Sequence, residues 1–401
     1  MKYLILQGDG MPDRPLDELG GKTPLEAVAT PALDALAKEA VEFGMAKPIP
    51  DSLPPGSDVG NLSVLGYDPM VYYTGRSPLE AAGMGIALKK TDLTCRCNLV
   101  TLKRGEDGTF MEDYSAGHIP TPQAHEIVKT LAAKLETKNL KFFPGVSYRH
   151  LIVINNAESG ITSTPPHDIT GREVSEFVPR GENSALFNEL MEKARELLAD
   201  HPVNRERIKN GENPVTDIWL WGEGTAPSLP PFEEVYGVKG AVISAVDLVK
   251  GIGNCAAMEV INVPGATGYL DTNYEGKVEY ALKSLEKNDL VMIHIESTDE
   301  TGHTGETDLK LRAIEDFDSR VAGPALEGMK RFGDFRALVT SDHPTPLSLK
   351  THSRDLVPFA IYDSRKNAGR GGAVYSEKCA AGAGMVFEHG WKLAGALIKA
   401  D

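Results

Sequence analysis

Four short stretches carry side chains able to do chemistry. In STDETGHTG (297–305), Asp299 and His303 stand four residues apart, a spacing that sets both on one side of a helical turn. TSDHPTP (340–346) pairs Asp342 with His343, KTHSRDLVPF (350–359) adds His352, and QGDG near the start supplies Asp9. Carboxylate and imidazole together suit Mn²⁺ or Zn²⁺, whereas an all-oxygen set suits Mg²⁺ or Ca²⁺. Each fragment alone reads equally well as a capped turn. Three Asp and three His in strand-end loops of one chain read as a metal centre. A further stretch, GSDVGNLSVLG (56–66), holds Ser57 among Gly, Asp and Asn after PIPDSLPP. That composition is turn chemistry, and it is also the setting of a nucleophile fixed at a loop tip. It does not match Gly-x-Ser-x-Gly, so an α/β-hydrolase elbow is not supported.

These residues need elements to position them. Short apolar runs recur: YLIL (3–6), LIVI (151–154), AVISAV (241–246), EVINV (259–263), LVMIHI (290–295), ALVT (337–340) and VPFAIY (357–362). Helix signatures lie between several of them. Thr30-Pro31 opens ALDALAKEAVEF, Thr121-Pro122 opens QAHEIVKTLAAKLE, and Asn273 is a cap for the helix that follows it. Alternating strands and helices with continuously apolar strands predict an α/β fold around a buried, mostly parallel sheet. In such sheets ligands gather outside the carboxyl ends of the strands. Asp9, Asp299 with Glu296, and Asp342-His343 all follow strand ends. Residues 93–214 read differently, with turn signals in KRGEDGT and NNAESG and a long polar helix in NSALFNELMEKARELLAD. They are expected to form a separate, inserted domain.

Bulk properties narrow the partners. A net charge of −15 without any Lys/Arg-rich run argues against nucleic acid or an anionic membrane surface. An acidic chain still binds phosphorylated anions where local cations or metals reverse the field. Cys95-x-Cys97, Cys255 and Cys379 lack zinc-knuckle spacing and read as small buried thiols. The opening MKYLILQGDG reaches a carboxylate too early for a signal peptide, and no apolar run approaches the ~20 residues of a membrane span. The expectation is a cytoplasmic protein acting on a small metabolite, its oligomeric state open.

Asp-x-x-x-His-Thr-Gly, Ser-Asp-His, the later His352, GDGM and GSDVGN together resemble the alkaline phosphatase superfamily. The closer resemblance is to the archaeal-type cofactor-independent (2,3-bisphosphoglycerate-independent) phosphoglycerate mutases. YTGRSPLEAAGMGI (73–86), GAVISAVDLVKGIG (240–253) and VPGATGYLDTN (263–273) carry it across nearly the whole chain. The resemblance implies an α/β, alkaline-phosphatase-like three-layer α/β/α sandwich with a smaller inserted α+β domain. Residues 1–92 and 215–401 would form the metal-binding catalytic domain, and 93–214 a substrate-capping insert. It also implies two divalent metals, Mn²⁺ ahead of Zn²⁺, Mg²⁺ or Co²⁺. One site would use Asp299, His303 and His352, and the other Asp9, Asp342, His343 and the Ser57 oxygen. Ser57 would take a phosphoryl group from phosphoglycerate and return it to the other hydroxyl of the glycerate. Lys250 matches a family lysine near the transferring group, and Asn61 would steady the nucleophile loop.

One segment departs from the family pattern. Where these mutases carry an arginine-rich stretch, this chain reads EDYSAGHI (112–119). Asp113, Ser115 and His118 offer a less cationic lining, because none replaces the bidentate guanidinium fork. Arg149 and Arg96 are the candidate substitutes. A homoserine kinase-like phosphotransferase of the same family, or a non-catalytic metal-binding member of the superfamily, therefore stays open on sequence alone.

Overall fold

The computed structural model describes residues 1–366 and 369–399. The chain divides into two compact units. The first comprises Met1–Tyr73, Ala82–Met84 and Ser228–Asp401, and the second Thr74–Ala81 with Gly85–Pro227.

An eight-stranded sheet organises the first unit. Its strands run in the order Glu259–Ile261, Gly240–Ile243, Leu290–Ile295, Lys2–Gly8, Phe335–Thr340, Val357–Asp363, Glu42–Ala46 and Val386–Phe387. The first five are mutually parallel, and only Val357–Asp363 runs against its neighbours. The central strands are buried along their whole length, which explains their continuous apolar character. On one face the helices Pro31–Glu39, Tyr274–Ser284 and Gly323–Met329 pack Leu33, Leu36, Val278, Ala281 and Met329 against Leu4, Leu6, Val291 and Val339. The helices Ser57–Val64, Asp247–Cys255 and Lys392–Ile398 form the layer on the other face. The result is the three-layer α/β/α sandwich expected.

This topology brings the chemistry to one edge. Four of the parallel strands end there, leading into Asp9, Ser244, Glu296 and Ser341. Val357–Asp363 is antiparallel, so its beginning lies at that same edge, and His352 precedes it by five residues. Glu42–Ala46 is antiparallel to Val357–Asp363 and so also ends there, delivering the chain toward Ser57. The sequence pattern predicts that the helix opened by Thr30-Pro31 runs through Phe43. The helix instead stops at Glu39, with Ala40 extended, and Glu42–Ala46 pairs with Val357–Asp363. Burying Phe43 and Met45 in the sheet outweighs one more helical turn.

The second unit is α+β. Leu93–Gly105 is its spine, pairing antiparallel with Gly108–Asp113, Arg149–Ile154 and Asp217–Thr225, while Leu140–Phe143 extends the sheet. Alternate residues of the spine serve two cores. Leu93, Cys95, Cys97 and Leu99 face the helices Thr121–Leu135 and Ser184–Leu198, whereas Val100 and Leu102 join Trp219 and Trp221. Cys95 and Cys97 are thus buried core thiols. The unit extends past residue 214 because Asp217–Thr225 is a ladder partner of the spine. It also reaches back to take in Thr74–Ala81, whose Ser77 hydroxyl donates to the Gly222 carbonyl at 2.6 Å. Among the described residues, no helix is long and apolar enough to cross a membrane.

Candidate active site

Close backbone packing assembles the site. Directly after Asp9 the chain turns at Gly10, with φ +57°, and its N–H donates to Asp342 Oδ1 at 3.3 Å. A Cβ at Gly10 would collide with the Asp299 carboxylate and the Thr345 hydroxyl, so glycine is required on both steric and conformational grounds. The helix Ser297–Thr304 carries Asp299 and His303 one turn apart, as their spacing predicts. Ser57 is the first residue of the helix Ser57–Val64. Gly60 lets that helix press against the Asp342 backbone, where a Cβ would strike the carbonyl oxygen. Asn61 then locks the contact, its amide donating to the Ser57 carbonyl and to Asp342 Oδ2, each at 2.9 Å.

The side chains converge as two groups that share His343. Asp299, His343 and His352 each offer a ligand atom within 4.8 Å of the others, and so do Asp9, Asp342 and His343. His303 joins the first group, its Nε2 lying 3.2 Å from Asp299 Oδ2 and 3.1 Å from His352 Nε2. Ser57 joins the second, its Oγ lying 3.1 Å from His343 Nε2. That nitrogen also lies 3.3 Å from Asp342 Oδ2 and 3.5 Å from Asp9 Oδ1.

Electrostatics favour a cation at this point. Burial, reinforced by the like charges of Asp342 and Asp299, pushes the Asp9 carboxyl well above the ordinary range. Its Oδ1 is buried without a hydrogen-bond partner. Burial works against a charged Asp299 as well, but His303 and His352 hold it well below the ordinary range. His303 is in turn pushed up to about 9, chiefly by Asp299 acting against burial. Burial draws His343 down to about 4, leaving it neutral, the form that ligates metals. The outer hydrogen bonds suit ligation too. Thr345 Oγ1 donates to Asp299 Oδ1, so it can accept from His343 Nδ1 and leave Nε2 free. His303 Nδ1 faces the Lys350 carbonyl at 3.0 Å, which likewise turns Nε2 inward. Mixed carboxylate and imidazole donors with this second layer fit divalent transition metals.

A family model described as 2,3-bisphosphoglycerate-independent phosphoglycerate mutase matches residues 37–204. The chain is 51% identical over 393 residues to a probable 2,3-bisphosphoglycerate-independent phosphoglycerate mutase of Geobacter sulfurreducens, covering 98% of each. It is 51% identical over 402 residues to the 2,3-bisphosphoglycerate-independent phosphoglycerate mutase of Methanosarcina barkeri, covering 100% of each. The chain belongs to this mutase family. Among solved structures it is similar to a Pyrococcus horikoshii protein, with 30% identity, a TM-score of 0.81 and coverage of 99% and 96%. It is also similar to the cofactor-independent phosphoglycerate mutase of Thermoplasma acidophilum, with 28% identity, a TM-score of 0.64 and coverage of 100% and 99%.

The remaining residues singled out from the sequence have their own surroundings. Lys250 lies on the helix Asp247–Cys255, which packs beside the Ser57 helix, and its Nζ is 3.9 Å from Asp247 Oδ1. In the second unit, the Asp113 carboxylate is occupied in closing its own loop. It accepts from Ser115 N and Oγ at 2.7 and 2.6 Å, from Gly117 N at 2.6 Å and from Asn213 at 2.8 Å. His118 holds a positive φ of 49° and sets its ring edge-on to Tyr114 and Tyr148. The exposed Arg149 guanidinium lies 5.5 Å from the Tyr148 ring. Arg96 is buried, paired with Glu80 at 2.7 Å and stacked on Trp221.

Two fully buried lysines escaped the sequence reading. One is Lys310, whose Nζ donates to Asp13 Oδ2 at 2.8 Å, to the Thr345 carbonyl at 2.7 Å and to the Gly10 carbonyl at 3.2 Å. A single ammonium thus ties the loop after Asp9 to the loop after His343. Lys310→Met leaves Asp13 buried without its partner and is expected to cost ~3–5 kcal/mol, read as a lower denaturant midpoint at unchanged slope. The other is Lys277, which pairs with Glu296 at 2.9 Å.

Proposed function

We propose that this chain interconverts 3-phosphoglycerate and 2-phosphoglycerate through a phosphoserine at Ser57, assisted by two divalent metals of which Mn²⁺ suits the donors best. The observation that carries the reading is the Ser57 hydroxyl, 3.1 Å from His343 Nε2 at the start of a helix and among the Asp/His donors. Asp299, His303 and His352 would hold one metal, and Asp9, Asp342 and His343, with the Ser57 oxygen, the other. When bound, the metals supply positive charge that favours the serine alkoxide and neutralises phosphoryl oxygens.

The protein residues carry the rest. Ser57 Oγ bonds to phosphorus as the bond from phosphorus to the glycerate oxygen breaks, and the proton lost by serine balances the one that glycerate gains. The other glycerate hydroxyl then attacks the phosphoserine, and Ser57 recovers its proton. The first turn of the helix adds partial positive charge beside the phosphoryl group. Asn61 holds the serine backbone against Asp342 through both steps. Lys250, on the neighbouring helix, is assigned to the transferring phosphoryl group. The reading includes the cytoplasmic location expected from the sequence, supported by the absence among the described residues of any helix long and apolar enough to cross a membrane.

The test sets two reactions side by side. With Mn²⁺ present, 3-phosphoglycerate is expected to yield 2-phosphoglycerate, with no turnover of homoserine plus ATP. Turnover of homoserine alone would assign the site to the kinase-like branch. Metal binding without either reaction would leave a non-catalytic member of the superfamily.

A further inference from the structure

We infer that Lys277, Glu296 and His294 form a buried positioning chain that makes Asp9 a one-oxygen metal ligand, an inference that rests on reading Asp9 as a ligand. The chain begins on the helix Tyr274–Ser284, where Lys277 Nζ donates to Glu296 Oε2 at 2.9 Å and to the His294 carbonyl at 3.0 Å. The other Glu296 oxygen accepts from Ser244 Oγ at 2.7 Å and from the N–H groups of Ala245 and Val246 at 3.0 and 3.2 Å. The same oxygen lies 2.9 Å from His294 Nδ1. With one ring nitrogen held there, the other is aimed, and His294 Nε2 lies 3.0 Å from Asp9 Oδ2. Only Oδ1 of Asp9 is left, and it faces His343 Nε2.

Lys277, His294, Glu296 and Asp9 are all buried. A buried ion pair is weak evidence for stability, since apolar replacements of similar volume often serve as well. Its cost here is matched by a geometric result. Asp9 shares its surroundings with Asp342 and Asp299, and an untethered carboxylate could rotate away from them. The chain removes that freedom. The carboxylate of Glu296 also ties down the segment that opens the helix carrying Lys250, so one group fixes both a metal ligand and the start of that helix.

His294→Leu removes the ring nitrogen that faces Asp9 Oδ2 at 3.0 Å, whereas His294→Gln keeps a polar N–H in a side chain of similar reach. Metal content by mass spectrometry and Mn²⁺ affinity by calorimetry are the readouts, with circular dichroism to verify folding. The Leu variant is expected to bind at one of two sites about 10–100-fold more weakly, the usual loss for an outer-layer partner, and the Gln variant to recover most of it. Wild-type affinity in the Leu variant, or equal losses in both, would overturn the proposal. Should the Leu variant not fold, Glu296→Gln gives the same reading, with weakened binding expected and unchanged binding contrary. Asp9→Ala separates the two levels: if it keeps both metals at full affinity, Asp9 is no ligand and the site assignment itself fails.

Discussion

Ser57→Ala is expected to keep its fold and its metals while losing turnover by several orders of magnitude. The other donors of the site remain in place, since Asp9, Asp342 and His343 hold their mutual geometry without the hydroxyl. As a turn residue, Ser57 would contribute on the order of 1 kcal/mol of stability and little rate. As the covalent nucleophile it makes the bond on which both half-reactions depend, and its loss costs roughly 10⁴–10⁶ in rate by analogy with other covalent enzymes. Two readings that differ so widely need only a modest assay. Retention of more than about a tenth of the wild-type rate, within ~1.4 kcal/mol of barrier, would mean a turn hydroxyl.

Asp299→Ala is expected to lose one metal and to lower turnover by about 10³-fold or more, the worth of several kcal/mol of charge stabilisation. Its removal also costs stability without metal, because His303 and His352 hold the charged Asp299 well below the ordinary carboxylate range and would lose that partner. Wild-type protein should melt at a lower temperature after chelation, because ligand binding stabilises the folded state by mass action. The variant should respond far less to chelator. An unchanged metal content in Asp299→Ala, or identical melting of the wild type with and without chelator, would contradict the assignment of this cluster to metal binding.

The part of the site read from the sequence followed from a single topological rule. In a parallel sheet the strand ends converge, so the sequence alone gathers Asp9, Asp299, Asp342 and His343. The Asp299–His303 spacing gave their shared face directly. The supporting residues were hidden by context. His294 sits inside LVMIHI and reads as a core position in a buried strand, and nothing local reveals its partners. Lys277 and Lys310 occur in ordinary amphipathic helices, where a lysine is normally solvated; only the tertiary fold buries them. The strand Glu42–Ala46 was lost because it follows a helix after two residues, without a turn signal between them. Sequence does not show that four donors from its own loop and from Asn213 meet the Asp113 carboxylate.

The central claim is that Ser57 carries the phosphoryl group between the two halves of the reaction. The most direct measurement is to mix the Mn²⁺-loaded wild-type enzyme with 3-phosphoglycerate, quench with acid within the first turnovers, digest, and read the peptide containing residues 56–66 by mass spectrometry. One phosphoryl group on Ser57 is expected, absent from Ser57→Ala and lost when the wild-type sample is chased with excess glycerate. An enzyme that turns over while this peptide stays unmodified, or that carries the phosphoryl group on another side chain, would contradict the mechanism.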